Sequence, residues 1–145
     1  MSVYVRVYPC PKITCYAGGI AKPDMIGMVV RDMTATLAFY RLIGLEIPLG
    51  AESEDHVECT ANGYRIAWDT VQLVESFGGP YHTPTGHRMS MAFLCDSPAE
   101  VDATYSKVIA AGYESVKAPW DAFWGQRYST VQDPDGNPMD LFAPL

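Results

Sequence analysis

The segment KAPWDAFWGQRY, residues 117–128, gathers Trp120, Phe123, Trp124 and Tyr128 in one short stretch. Each large ring buries on the order of 150–250 Å² when it packs, so such a group must pack or bind something. It either seals a sheet edge or subunit contact, or forms a stacking wall for a flat molecule. Pro119 and Gly125 bracket the first three of these rings, and that stretch reads as a loop. Trp68 alternates with Tyr64 and Ile66, the period of a strand, which makes it core or the floor of a pocket. His56 follows Glu52, Glu54 and Asp55, and a neighbouring carboxylate would favour its charged form. It is either a strand-end surface group or a ligand contact. Asp140 has two readings: an ion-pair partner for Arg65, Arg88 or Arg127, or an acceptor for amine or amide donors of a ligand. Arg65, Asp69, Gln126 and Tyr128 could fix a ligand's orientation in the same way.

This is the chemistry of stacking and hydrogen bonding. No serine, threonine or cysteine sits in a nucleophile-elbow frame. Gly18-Gly19 and Gly78-Gly79 lack the strand-to-helix context of a phosphate loop.

The elements that must position these groups form a weak internal repeat. MIGMVVRD (25–32) and MSMAFLCD (89–96) both read as buried strands, 64 positions apart, each followed by a helix. Asp32 is the first N-cap candidate, with Gly44 as the stop. Ser97-Pro98-Ala99-Glu100 is a capping box, and Gly112 ends that helix. HVECT and YRIAWDT flank Asn62-Gly63, the strongest hairpin signal in the chain. RYSTVQ and NPMDLF flank the Asp133-Pro134-Asp135-Gly136 turn. The expectation is an α+β fold of two βαβββ modules, about 25–70 and 88–145, joined by a connector at 71–87. Together they form a curved, mostly antiparallel sheet with a concave pocket. Residues 1–24 stand apart as an extension with a short strand, Val3 to Tyr8.

Composition sets the outer bounds. The chain has 145 residues, 48% of them hydrophobic, which suits one globular domain. Ten basic against seventeen acidic residues give a net charge of −7, a poor match to nucleic acid. No apolar run approaches the roughly 20 residues of a membrane span. Cys10, Cys15, Cys59 and Cys95 have no metal-knuckle spacing and read as reduced, inert thiols of a cytoplasmic protein.

The repeat, together with FYRLIGLEIP (39–48) and WGQRYSTVQDPDGNPMDLFAP (124–144), resembles the vicinal oxygen chelate superfamily. That family takes in glyoxalases, bleomycin-resistance proteins and extradiol dioxygenases. Within it, GLEIP, HVE at 56–58, RIAWDTV at 65–71, PTGHR at 84–88, AGYE at 111–114 and WGQRY at 124–128 are similar to the mitomycin-resistance type of drug binder. The resemblance implies non-covalent sequestration of an antibiotic or similar planar molecule by a homodimer. It puts Trp124 opposite His56 as a clamp on the ligand.

The superfamily's enzymes hold a divalent metal on the first and last strand of each module. The matching positions here are Met25 or Ile26, Ala67, Met89 or Ser90, and Asp140. One carboxylate among them does not make a metal site, so no metal and no cofactor is expected. His87 would enter only by a register slip. The alternative is a metal-dependent lyase, isomerase or dioxygenase of the same superfamily, and a third reading is a protein-interaction module.

Overall fold

The computed structural model of the chain describes residues 24–86 and 89–145. The strand expected at Val3–Tyr8, Cys10, Cys15, His87 and Arg88 lie outside the described residues. Strand β1 (Met25–Val30) leads into α1 (Met33–Leu42), then β2 (His56–Ala61) and β3 (Tyr64–Thr70). A connecting helix α2 (Val71–Gly78) precedes β4 (Met91–Leu94), α3 (Pro98–Ala110), β5 (Ser115–Ala122), β6 (Gln126–Gln132) and β7 (Pro138–Pro144).

The strands form two sheets, ordered β1-β3-β2 and β4-β7-β6-β5. In each module the first strand lies parallel to the last, and the remaining pairs are antiparallel. The second module is a full βαβββ unit. In the first, residues 45–48 take the place of the second strand: Leu45 and Ile47 are buried there, but the segment joins no ladder.

Local chemistry fixes these boundaries. Asp32 accepts a hydrogen bond from the Ala35 amide, and Ser97 accepts one from Glu100, so each helix has a side-chain cap. Glu100 reaches back to the Asp96 amide at 2.8 Å, one position before the cap itself. The caps are Asp32 and Ser97, 65 apart, so the repeat is offset by one from the Asp32–Asp96 match read in the sequence. Asn62 and Gly63 both take positive φ, 50° and 81°, as a two-residue type I′ hairpin requires.

One core serves both modules. Leu37, Phe39 and Tyr40 of α1 pack with Trp68 of β3, Val108 of α3, Val131 of β6 and Met139 of β7. Phe39 meets Tyr40 and Tyr113 edge-to-face, with centroids 5.3 and 5.0 Å apart, the arrangement ring quadrupoles prefer. Alternation along β3 and β7 then turns Arg65, Ala67 and Asp69, and likewise Asp140 and Phe142, onto faces away from this core.

The Asp133–Gly136 turn is tied into the core by one carboxylate. Asp133 is 5% exposed. It accepts from the amides of Asp135 and Asn137, from the Asn137 side chain, and from the Tyr40 hydroxyl at 3.2 Å. Burial, and then the nearby Asp133 charge, hold the Tyr40 phenol far above its ordinary range, so it stays a donor.

Candidate functional site

Cross-strand register builds an aromatic row on the outer face of the second sheet. Leu94, Phe142, Tyr128 and Trp120 stand side by side across β4, β7, β6 and β5. Tyr128 and Phe142 are stacked, with centroids 6.2 Å apart. The next row holds Ala92, Asp140, Thr130 and Lys117. Register shifts in β5 between Lys117 and Trp120 bring these two residues onto one face, as a bulge does. The Lys117 ammonium lies 3.7 Å over the Trp120 ring.

Trp120 is therefore a strand residue, which corrects the loop expected between Pro119 and Gly125. Pro119 is tolerated because β5 is the edge of its sheet and an edge strand leaves alternate N–H groups unpaired. The loop itself shrinks to Phe123-Trp124-Gly125, between the paired residues Ala122 and Gln126. Gly125 takes φ 88°, which a three-residue hairpin of this kind demands of its last position. The tight turn folds Trp124 back over the row. Its ring meets Trp120, Phe123 and Tyr128 edge-to-face at 5.2, 4.8 and 5.5 Å. Its indole N–H donates to Gln126 at 3.0 Å. Phe123 itself is 91% exposed.

Asp140 accepts a hydrogen bond from the Thr130 hydroxyl at 2.6 Å. Of the ion pairs that one of its two readings offered, those with Arg65 and Arg127 are not made. Arg65 is drawn to Glu58 and Asp24, and Arg127 to Asp102 and Asp121, because those carboxylates lie on neighbouring strands or on the helix packed against β6. The carboxylate of Asp140 thus stands in the aromatic face as a hydrogen-bond acceptor.

His56 belongs to the other sheet. It pairs directly with Asp69 across β2 and β3, and its two ring nitrogens meet Asp69 at 2.6 Å and Glu58 at 3.1 Å. These two carboxylates, rather than Glu52, Glu54 or Asp55, raise the imidazole pKa above 6.5, Asp69 contributing most. Arg65 and His56 in turn hold Glu58 below the usual carboxylate range. The charged imidazole is the better partner, so this contribution to stability is complete below pH 6.5 and fades as pH rises through the elevated value. An NMR titration is expected to place the His56 midpoint above 6.5, and Asp69→Asn to return it toward that value.

Trp68 is wholly buried between the modules, tilted against Tyr40 with centroids 4.8 Å apart. Of the two readings of its strand position, the geometry gives the core one. Cys59 and Cys95 are free, half-buried thiols whose pKa burial pushes up, which makes them poor nucleophiles.

The metal positions follow from the same register. It moves the opening-strand positions from the Met25 or Ile26 and Met89 or Ser90 read in the sequence, because Gly27 pairs with Ala67, and Ala92 with Asp140, across the parallel first-to-last strand pairs. Gly27, Ala67 and Ala92 carry no side-chain donor atom, which leaves Asp140 as the single carboxylate of the four. Among the described residues no three His, Cys, Asp or Glu side chains converge as a metal would need. These residues do not fit a divalent ion. No described helix is long and apolar enough to cross a membrane.

Comparison with known proteins bears on the whole arrangement. Residues 22–141 match the model of the Glyoxalase/Bleomycin resistance protein/Dioxygenase superfamily. An uncharacterised protein of Mycobacterium tuberculosis is 29% identical over 122 residues, covering 81% of this chain and 72% of its own. A crystal structure of a family enzyme from Burkholderia phytofirmans superposes with a TM-score of 0.74 at 21% identity, over 84% of this chain and 98% of that one. A lactoylglutathione lyase from Agrobacterium tumefaciens superposes at 0.63 and 21% identity, over 86% and 95%. At such identities these two structures speak for the fold alone. With its matched modules, parallel first-to-last strand pairs and family-wide sequence match, the chain belongs to the glyoxalase/bleomycin resistance protein/dioxygenase superfamily.

Proposed function

We propose that the protein binds and sequesters a planar aromatic small molecule, of the kind an antibiotic-resistance protein captures, without altering it. The observation that carries this reading is the aromatic row Phe142, Tyr128 and Trp120 with Trp124 folded over it. Stacking supplies affinity, and Asp140 and Gln126 supply polar contacts that orient the ligand. The mechanism is equilibrium capture, so affinity must be high. A dissociation constant near 1 μM needs about −8 kcal/mol, within reach of two ring contacts plus burial. The charge of −7 favours a neutral or cationic ligand.

The working form in this reading is a homodimer with two equivalent pockets. His56 stands on one sheet and Trp124 in the β5–β6 hairpin of the other, and the two sheets share one core through their opposite faces. A second copy is the simplest way to bring the His56 face of one chain before the Trp124 face of the other.

The test is a tryptophan-fluorescence titration of chelator-treated protein with mitomycin-type quinones, bleomycin and simple planar aromatics. Saturable quenching by one class, one ligand per subunit, is the expected result, with light scattering giving twice the 16.0 kDa chain mass. Binding or turnover that appears only on adding a divalent metal would sink the proposal in favour of the superfamily's enzymes.

A further inference from the structure

A cavity of about 430 Å³ lies apart from the aromatic face, in the seam between the two sheets. Its origin is topological. Among the described residues, β1 is the edge of one sheet and β4 the edge of the other, each hydrogen-bonded on one side only. No ladder among the described residues closes the gap between them, and side chains line it. Four of the chain's seven methionines do this work: Met28, Met89, Met91 and Met139 all line the cavity. Unbranched thioethers fill irregular space and repack at little cost, a property of surfaces that accept varied apolar partners. The volume falls inside the roughly 300–1,000 Å³ range of small-molecule sites.

One end of this apolar seam is polar. Arg31 donates from Nε to Asp135 at 2.7 Å and from Nη2 to the Pro134 carbonyl at 3.1 Å. Its remaining guanidinium N–H groups have no acceptor among the described residues, although the side chain lines the cavity. Asp135 already neutralises this charge, and its second oxygen is buried with no partner among the described residues. The local balance therefore disfavours an incoming anion, as does the net charge of the chain. A neutral acceptor has no such penalty.

We infer that the seam between β1 and β4 is a second binding site, which takes a neutral, mainly apolar molecule with a carbonyl-type acceptor directed at Arg31. Neither Trp120 nor Trp124 lines it, so this site stands or falls independently of the aromatic face.

The test uses the full chain labelled with ¹³C-methyl methionine and titrated with 2-nonanone, with nonanoate as the charged counterpart. The methyl signals of Met28, Met89, Met91 and Met139 are expected to shift saturably, while that of Met33, buried against the core, stays in place. Nonanoate is expected to bind at least fivefold more weakly than the ketone. Arg31→Ala should weaken the ketone about fivefold. Ser90→Trp, at an exposed position on the cavity wall, should abolish its binding by filling the space. An absence of saturable shifts, equal movement of Met33, unchanged binding in the Ser90→Trp protein, or nonanoate binding as tightly as the ketone would each overturn the assignment.

Discussion

Asp133→Ala is expected to lower the unfolding free energy by about 3 kcal/mol, read as a fall in the urea midpoint at constant slope. The substitution removes one small side chain, and neither hydrophobic transfer nor cavity formation accounts for so large an effect. The loss comes from the donors it orphans. Two backbone amides, the Asn137 side chain and the Tyr40 hydroxyl all point at this carboxylate. A buried donor left unsatisfied costs roughly 1–3 kcal/mol. The turn amides can recover water, since Asp135 and Asn137 lie near the surface. The Tyr40 hydroxyl is wholly buried, and the other acceptors it meets among the described residues are the weak Met28 and Met139 sulfurs. Tyr40→Phe should therefore cost only about 1 kcal/mol, because it removes a donor and leaves the carboxylate three other bonds. A double-mutant cycle should show clear coupling between the two positions, which additive losses would contradict. The result matters beyond stability. Tyr40 belongs to the first module and Asp133 to the second, so this hydrogen bond helps set how the two sheets face one another.

That bond also marks the limit of what the chain discloses as a sequence. Local signals were readable because their causes are local. Asp32 and Ser97 cap their helices through bonds three residues long, and Asn62-Gly63 turns by its own backbone preference. The Asp133-Pro134-Asp135-Gly136 turn was equally plain, but its tie to Tyr40 spans 93 positions and leaves no periodic trace. Trp120 failed for a different reason. Proline and glycine usually punctuate loops, and only the edge position of β5 makes a strand through Pro119 acceptable. Only register could narrow the two readings of Asp140, because it hands Arg65 to Glu58 and Arg127 to Asp102 and so removes two of the three arginines that one reading offered. Register likewise lay behind the aromatic row. The sequence placed Tyr128 near Trp120 but gave no sign of Phe142, which enters only because β7 pairs with β6. The methionine-lined seam was equally hidden, since its residues come from β1, β4, β7 and the connector.

Removing Trp120 and Trp124 together is expected to weaken binding of the fluorescent-titration ligand by about 2–4 kcal/mol, some thirtyfold to a thousandfold, while the protein stays folded. Each ring has a distinct share. Trp120 is fixed in a strand between Tyr128 and the edge, and its face is one that a cation already occupies. Trp124 is held by the hairpin, by Gln126 and by three rings at once, so it is pre-oriented and loses little entropy on binding. Trp124→Ala alone should cost at least about 1–2 kcal/mol. The two rings touch, so the losses need not add, and the shortfall from additivity measures how far they act as one surface. Stability should change little beside the effect on binding, because the row sits on the face turned from the core, while the opposite face of the same strands carries Ser129, Val131, Met139 and Leu141. Trp68 supplies the control. It shares its residue type with the others but is enclosed in the core, so Trp68→Phe should disturb stability and leave affinity within about twofold. Affinity that survives the loss of both outer tryptophans would mean that the aromatic row packs against protein rather than ligand. The capture mechanism would then have to be abandoned.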